Sequence, residues 1–191
     1  MFLGITVLNC TPKKEVKNAE PTEGKIELMP EKDSFVDYLC ADNENVLISF
    51  KIEKSFKIVS VCIAKDESYI VYRFGTQDNI EFEFPENKTG SWNEFTASHG
   101  LQRITDMYFL EFINYEYKYI VYHHLWLDEY DHETVVGSNY GVGITNISTG
   151  EHKNLPGVSG SIIGGLNESI DNKKYKKLKI IDIGEIRSDD E

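Results

Sequence analysis

Two neighbouring stretches in the middle of the chain have the hydrophobic pattern of β-strands. Tyr69–Phe74 (YIVYRF) is aromatic or β-branched at all but one position, which is typical of a strand buried on at least one face. Ile80–Phe84 (IEFEF) alternates apolar residues with carboxylates, and this period of two indicates a strand with one solvated side. Gly75–Asn79 supplies turn-forming residues between them, and Pro85 ends the second strand because it cannot donate to a ladder. The pattern predicts a β-hairpin.

Similar β-branched segments recur through the chain. Val46–Ile52 and Phe56–Ile63 predict a second hairpin, and four later segments predict further strands: Tyr108–Ile113, Tyr119–Leu127, Tyr140–Ile147 and Tyr175–Arg187. Asp33–Cys40 fits either one helical turn or an edge strand, and the polar Glu86–Gly100 predicts a long connection. Val158–Leu166 has too many glycines for a stable helix. Since long helical periodicity is absent, the sequence predicts a mainly β domain, an antiparallel sandwich or barrel-like structure built from hairpins.

The tetrapeptide YIVY occurs twice, at Tyr69–Tyr72 and at Tyr119–Tyr122. When Val61–Tyr72 and Glu111–Tyr122 are aligned without a gap, their third residue, an isoleucine, also matches. Such self-similarity is compatible with an internal duplication, in which two hairpins face each other in a sandwich or barrel. The alternative is chance agreement, because few residue types favour strands.

The N-terminus resembles a bacterial lipoprotein signal. Met1–Leu8 is an apolar run without charge, and it is followed by Cys10, which such a signal would present for acylation. Basic residues before the run are missing, and a first β-strand or a frayed terminus is the alternative. We expect residues 1–10 to be a leader remnant with Cys10 as lipid anchor, residues 11–30 a flexible tether, residues 31–187 a single β-rich domain and residues 188–191 an acidic tail.

The chain contains three cysteines. If Cys10 belongs to the leader, an even pair remains. Cys40 and Cys62 then either form a disulfide in an oxidising compartment or stay as two reduced, buried thiols. A disulfide across this separation would stabilise the fold by about 3 kcal/mol, because it restricts the unfolded chain.

The charge balance limits the classes of partner. The sequence has 32 acidic and 20 basic residues, and its formal net charge is −12. A negative field repels phosphate backbones, so nucleic acid is an unfavourable partner and a basic protein surface a favourable one. The sequence contains no apolar run long enough to span a bilayer, so we expect membrane contact only through the lipid anchor.

The densest group of ionisable side chains is His123–Glu133. Within it, His124, Asp128 and His132 are the candidates for a divalent metal site, because imidazole and carboxylate groups are common ligands. The spacing matches neither HExxH nor an EF-hand loop, and a solvated loop is the better interpretation. Ser159 lacks the second glycine of a nucleophile elbow. The sequence therefore predicts no catalytic residue, no metal and no cofactor.

The chain resembles a loose group of small exported proteins of Gram-negative bacteria. The resemblance covers Cys40–Gly150, and four segments carry it: KIVSVC (Lys57–Cys62), YIVYRFGTQDNIEFEFP (Tyr69–Pro85), YKYIVY (Tyr117–Tyr122) and GITNISTG (Gly143–Gly150). Those proteins have a signal peptide and a cysteine before the hairpin. The resemblance implies an exported β-domain, periplasmic or anchored as a lipoprotein, and it favours a disulfide between Cys40 and Cys62. It assigns no catalytic residue.

Taken together, these patterns predict a non-enzymatic binding protein, exported or tethered to the envelope, whose partner is another protein. Rigid, amphipathic tyrosines and an acidic surface suit an inhibitor or an immunity factor that captures a basic target. The alternatives are a structural or assembly lipoprotein of the envelope and a metal-dependent hydrolase that uses the histidine segment. The residues that contact the partner are not evident from the sequence.

Overall fold

The computed structural model describes residues 37–185, which form two β-sheets packed face to face. The first sheet contains five strands: β1 (Glu44–Lys51), β2 (Ile58–Ala64), β3 (Ile70–Thr76), β4 (Asn79–Phe84) and β10 (Ile163–Gly164). The second contains six: β5 (Thr96–Gln102), β6 (Thr105–Asn114), β7 (Tyr117–Leu127), β8 (Val135–Asn146), β9 (His152–Pro156) and β11 (Lys179–Glu185). The helices in this range are a 3₁₀ turn, Ser91–Glu94, and α1, Leu166–Asp171; neither is long enough to cross a membrane.

The strand order is β10-β1-β2-β3-β4 in the first sheet and β11-β5-β6-β7-β8-β9 in the second. Neighbouring strands are antiparallel except β11, which pairs in parallel with β5. The prediction of a mainly β, antiparallel fold is confirmed. Of the two predicted architectures the protein adopts the sandwich, because in the described part of the chain the sheets do not close into a barrel.

Alternate side chains of both sheets form one core between the layers. Its densest part is a group of aromatic rings around Phe112 on β6, whose ring centroid lies 4.5 Å from Phe84 and 4.8 Å from Tyr119. Tyr72 and Phe95 complete the group, at 5.1 and 5.3 Å from Phe112. Stacked and tilted rings at these separations add to the free energy that area burial already contributes. The aromatic cluster therefore joins the two sheets.

Residues 37–43 cover the outer side of the first sheet. Cys40 forms a disulfide with Cys62 on β2, and their Cα atoms are 5.5 Å apart. The backbone N–H of Leu39 donates to Ser60 Oγ at 2.9 Å. Since this segment lies over β2, all seven residues of that strand are buried. Of the two states predicted for the cysteine pair, the structure contains the disulfide.

Both predicted hairpins are present, with a shorter turn in the first. Strand β3 extends through Gly75 to Thr76, and β4 begins at Asn79, so only Gln77 and Asp78 connect them. A β-bulge lies between Phe74 and Gly75. Gly75 has φ +153°, and a Cβ atom there would lie 2.2 Å from the carbonyl oxygen of Asn79. The glycine that the sequence assigned to the turn is therefore a strand residue, required by the close approach at the bulge.

Other elements differ from the sequence prediction. The polar segment that was expected to be a connection contains most of β5, and β9 was not predicted. Strand β11 begins at Lys179 rather than Tyr175 and is parallel to its neighbour. Helix α1 follows the glycine-rich stretch directly, and Leu166 and Ile170 enter the core, where α1 contacts β1, β5 and β6. Burial of two apolar residues compensates for the weak local signal of this helix.

The repeated YIVY segments lie in opposite sheets, each on the second strand of a hairpin. In β3 the residues that face the core are Ile70 and Tyr72, whereas in β7 they are Tyr119 and Val121. The ungapped alignment therefore equates positions that point to opposite faces of their sheets. The match in letters reflects shared strand composition rather than equivalent side-chain positions.

Several predictions concern residues outside the described range. These are the leader remnant at residues 1–10 with the lipid anchor Cys10, the tether at residues 11–30 and the acidic tail at residues 188–191. Residues 31–36 and 186–187 of the predicted β-rich domain also lie outside it. Asp33–Cys40, predicted as a helical turn or an edge strand, is described only from residue 37 onward, where it forms neither.

Candidate binding surface

Part of the outer side of the second sheet is apolar, whereas the solvent-facing side of an antiparallel sheet is normally polar. One row of cross-strand neighbours on this side contains Ile181 (β11), Phe109 (β6) and Tyr122 (β7). The adjacent row contains Met107 (β6) and His124 (β7). We call seven outward side chains of these strands the aromatic face: Met107, Phe109, Tyr122, His124, Trp126, Ile181 and Ile183.

Glycines on β8 allow the largest of these side chains to lie flat. A Cβ atom on Gly137 would be 2.5 Å from Cε3 of Trp126, and one on Gly141 would be 2.4 Å from Oη of Tyr122. The indole and the phenol ring therefore cover the backbone of β8 instead of projecting from the sheet. Trp126 still exposes 42% of its surface. The surface is therefore flat and rigid, which suits a contact with a flat surface of another protein.

His124 occupies the middle of the aromatic face. Its ring centroid is 5.4 Å from Phe109, edge to face, and 5.1 Å from Tyr122. Its Nε2 is buried without a hydrogen-bond partner in the described part of the chain. Burial lowers the pKa of His124 below its ordinary value, so the imidazole is neutral at pH 7. His124 thus acts as a flat, mostly apolar ring and adds no charge to the aromatic face.

An acidic loop, residues 128–134, borders the aromatic face beyond Trp126. Two of its carboxylates hold the loop itself. Asp128 Oδ1 accepts the N–H of Tyr130 at 2.8 Å, and Asp131 accepts the N–H and hydroxyl of Thr134 at 2.8 and 2.6 Å. The hydrogen bonds from Thr134 lower the pKa of Asp131 to about 2. Its neighbours Glu129 and Glu133 are exposed, and Tyr130 is 94% exposed. The aromatic face therefore has a negatively charged border.

The three metal candidates do not form a cluster. His124 lies on the aromatic face, whereas Asp128 and His132 belong to the loop that follows β7. In the described residues, the group of three ligand-type side chains within 4.8 Å of one another is Cys40, Glu44 and Cys62. Its sulfurs are joined in the disulfide and its carboxylate binds Arg73, so these donors are already occupied.

The two adjacent histidines point to opposite sides of β7, as period-two geometry requires. His123 is 5% exposed and enters the core, where its ring centroid is 6.4 Å from Tyr140. Burial lowers the pKa of His123 to about 4, and neighbouring His124 lowers it further in the same direction. Its Nδ1 has no hydrogen-bond partner among residues 37–185. His123 is therefore a neutral core residue.

The two carboxylates of β4 and Ser159 are not part of the aromatic face. Glu81 Oε2 accepts from Lys57 Nζ at 2.6 Å, and Glu83 Oε2 accepts from Arg73 Nε at 2.6 Å, so both carboxylates are in ion pairs. Ser159 lies exposed in a turn.

Sequence reasoning missed the aromatic face, although a signal exists. In β7 the outward positions Ile120, Tyr122 and Trp126 are as apolar as the inward ones, which a one-sided amphipathic strand would not show. The alternating glycines of β8 are the second part of that signal, because a glycine opposite an aromatic residue leaves room for the ring. Ile181 and Ile183 join the surface only through the parallel pairing of β11, which local pattern does not reveal.

Comparison with protein families, curated proteins and solved structures provides no analogue. The chain matches no family model, no curated protein and no solved structure. Its function is therefore inferred from the surface described above.

Proposed function

We propose that the domain is an exported, non-enzymatic binding protein that binds another protein through the aromatic face. The observation that carries the proposal is the apolar surface formed by β11, β6 and β7 around the small residues of β5, with Tyr122 and Trp126 lying flat over glycines. Contiguous exposed apolar surface on a soluble domain marks an interaction site, and Tyr, Trp, Phe and Met are enriched in protein interfaces. Rigid rings also lose little conformational entropy on binding.

The charge of the protein favours a basic partner. The acidic loop at residues 128–134 borders the aromatic face, and the whole chain carries a formal charge of −12. Such a field accelerates association with a positively charged surface. The same field opposes pairing of two copies of this chain, since each copy carries a net charge of −12. An inhibitor or immunity factor that captures a basic toxin or hydrolase fits both features.

Export is part of the proposal. The Cys40–Cys62 disulfide is of the kind that persists in an oxidising compartment, which supports the periplasm or the cell surface. Cys10 would anchor the protein as a lipoprotein if the leader is processed there. Globomycin sensitivity and palmitate labelling of the expressed protein, compared with Cys10→Ser, would test the anchor separately from binding.

The experiment uses purified full-length protein as bait in an envelope extract, followed by mass spectrometry. Tyr122→Ser combined with Trp126→Ser removes the two flat rings without opening the core. The matched control is Phe56→Ser, which removes an aromatic side chain 68% exposed at the turn between β1 and β2 of the first sheet. Circular dichroism establishes that all variants are folded.

We expect one or a few captured proteins of high isoelectric point. They should be lost with the double variant, retained with Phe56→Ser, and captured less efficiently at 0.5 M salt. Equal capture by the double variant would contradict the proposal. Self-association of the wild type at 100 µM that the double variant abolishes would also contradict it, and would instead support a structural or assembly role.

A further inference from the structure

A cavity lies between the two sheets, on the side of the second sheet opposite the aromatic face. It opens at the end of the sandwich where β1, β3 and β8 end and where β2, β4, β7 and β9 begin. Its volume is about 410 Å³. That volume falls in the range of pockets that bind small molecules, on the order of 300–1,000 Å³. We call it the end groove.

The walls of the end groove are apolar and largely aromatic. The first sheet supplies rings from β3 and β4 and the second supplies side chains from β7, β8 and β9; the apolar lining is Ile52, Tyr72, Phe74, Phe82, Tyr119, Ile144 and Leu155. Phe82 stacks on Tyr119 with 5.3 Å between ring centroids, which joins the two walls at the base. These side chains pack against the core, so the groove is a preformed gap in the aromatic cluster.

The groove lining also contains a hydroxyl group, that of Tyr72. Tyr72 is 2% exposed, and its hydroxyl has no hydrogen-bond partner in the described part of the chain. Burial raises the pKa of Tyr72 far above its ordinary value, with a smaller effect of nearby Tyr119. The hydroxyl therefore stays protonated and can donate a hydrogen bond. A ligand that places an acceptor atom at this hydroxyl would gain a hydrogen bond that the described residues do not make.

Two lysines, Lys57 and Lys153, lie at the mouth of the end groove. Lys57 Nζ is paired with Glu81 at 2.6 Å and lies 5.4 Å from the ring centroid of Phe74, so its charge is balanced. Lys153 on β9 has no ion pair within residues 37–185, and no carboxylate belongs to the groove lining. An unpaired lysine beside an apolar groove is a notable feature in a chain of net charge −12. Its aliphatic stem can line the entrance while the ammonium group faces a ligand anion.

From this arrangement we propose that the end groove binds a single-chain carboxylate amphiphile of the fatty-acid type. The hydrocarbon chain lies between the two aromatic walls, and the carboxylate lies at the mouth beside Lys153. The apolar lining excludes a fully polar ligand, and the unpaired ammonium group selects an anion over a cation. This site is independent of the protein-binding function proposed above, because it uses the opposite side of the second sheet.

Isothermal titration of the full-length protein with sodium dodecanoate, kept below its micelle concentration, tests the proposal. We expect saturable binding with one site per chain. Dodecyltrimethylammonium has the same chain with a cationic head, so it should bind at least tenfold more weakly. This comparison is stringent, because the net charge of the protein attracts the cation non-specifically.

Three variants locate the site. Ile144→Trp fills the groove and should abolish dodecanoate binding, and Lys153→Met should weaken it about tenfold, the loss expected for one charge-assisted contact. The matched control is Lys118→Met, because Lys118 pairs with Glu111 on the outer side of the same sheet, and its loss should leave binding unchanged. Thermal unfolding establishes that each variant is folded.

The proposal is overturned if dodecanoate shows no saturable binding, or if the cationic amphiphile binds equally well. It is also overturned if folded Ile144→Trp and Lys153→Met both bind like the wild type. The Tyr122→Ser, Trp126→Ser protein should still bind dodecanoate, so failure of the end groove and failure of the aromatic face are separate results.

Discussion

Replacing Glu44 with glutamine tests the buried ion pair that attaches residues 37–43 to the first sheet. The side chains of Glu44 and Arg73 are 1% and 7% exposed, and the carboxylate accepts from both terminal nitrogens of the guanidinium group. The same carboxylate accepts the N–H of Ala41 at 2.7 Å and the hydroxyl of Tyr69 at 2.8 Å. Arg73 also donates to the carbonyl oxygen of Leu39 at 3.1 Å. The pair therefore links the covering segment to β3.

The free energy by which the ionised Glu44 carboxylate stabilises the fold follows from its pKa. Burial alone would raise this pKa, but the hydrogen bonds from Arg73, Ala41 and Tyr69 outweigh it and lower the pKa from 4.5 to about 2. Because each pKa unit corresponds to about 1.4 kcal/mol, the ionised carboxylate stabilises the fold by ~3 kcal/mol at neutral pH. A carboxyl group whose folded pKa is depressed contributes fully above its unfolded pKa of 4.5. That contribution is lost as pH falls through about 2, and at pH 3 roughly 1 kcal/mol remains.

Urea unfolding of the wild type and Glu44→Gln at pH 7 and pH 3, with the disulfide intact, measures the effect. We expect the variant to lose about 3 kcal/mol at pH 7 and about 1 kcal/mol at pH 3, because glutamine leaves the charge of Arg73 buried with only Glu83 as its ion-pair partner. The matched control is Glu81→Gln, whose pair with Lys57 is about one-third exposed and should contribute less than ~1 kcal/mol. A loss no larger than that of the control, or an equal loss at both pH values, would refute the reasoning.

Three further outcomes are expected. Cys62→Ser should lower the free energy of unfolding by about 3 kcal/mol, the value for a closed loop of this length, and reducing agent should then have no additional effect in urea titrations. The folded pKa of His123 is about 4, below its unfolded value, so the free energy of unfolding of the wild type should fall as pH drops from 6.5 to 4. Thermal unfolding of His123→Leu should show a weaker dependence on pH over this range. An unchanged pH dependence would contradict the interpretation of His123 as a neutral core residue. Phe112→Ala should cost about 4 kcal/mol by urea titration, against a small loss for exposed Ile113→Ala on the same strand.

The local hydrophobic pattern was enough to predict the strands that are rich in β-branched and aromatic residues. The hairpin β3–β4 and the segments of β1, β2, β6, β7 and β8 could be found because β-branched and aromatic residues, punctuated by turn residues, are a short-range signal. Strand β5 (TASHGLQ) carries no such signal, since its small and polar residues are buried only by contacts with other elements; Ser98, for example, lies between Ile181 and Phe109. Tertiary burial overrode a weak local preference there.

The candidate sites also differ in whether local sequence can predict them. His124, Asp128 and His132 are close in sequence, but the period of the strand and the fold of the acidic loop place them in different settings. The aromatic face and the end groove instead combine residues more than seventy positions apart, such as Phe109 with Ile181 and Tyr72 with Ile144. Local spacing has no information on such pairs, because strand order and register determine them.

The sequence by itself determined the fold class, the two central hairpins, the pairing options of the cysteines and the acidic charge. Each of these depends on composition or on a period of two within one segment. Only the tertiary structure decided which side of each sheet is covered. Residues 37–43 shield the first sheet through Cys40 and Glu44, whereas Trp126, Ile181 and Ile183 on the outer side of the second sheet remain 42–44% exposed. That choice depends on contacts between distant segments, whose free energy appears only when the sheets are assembled.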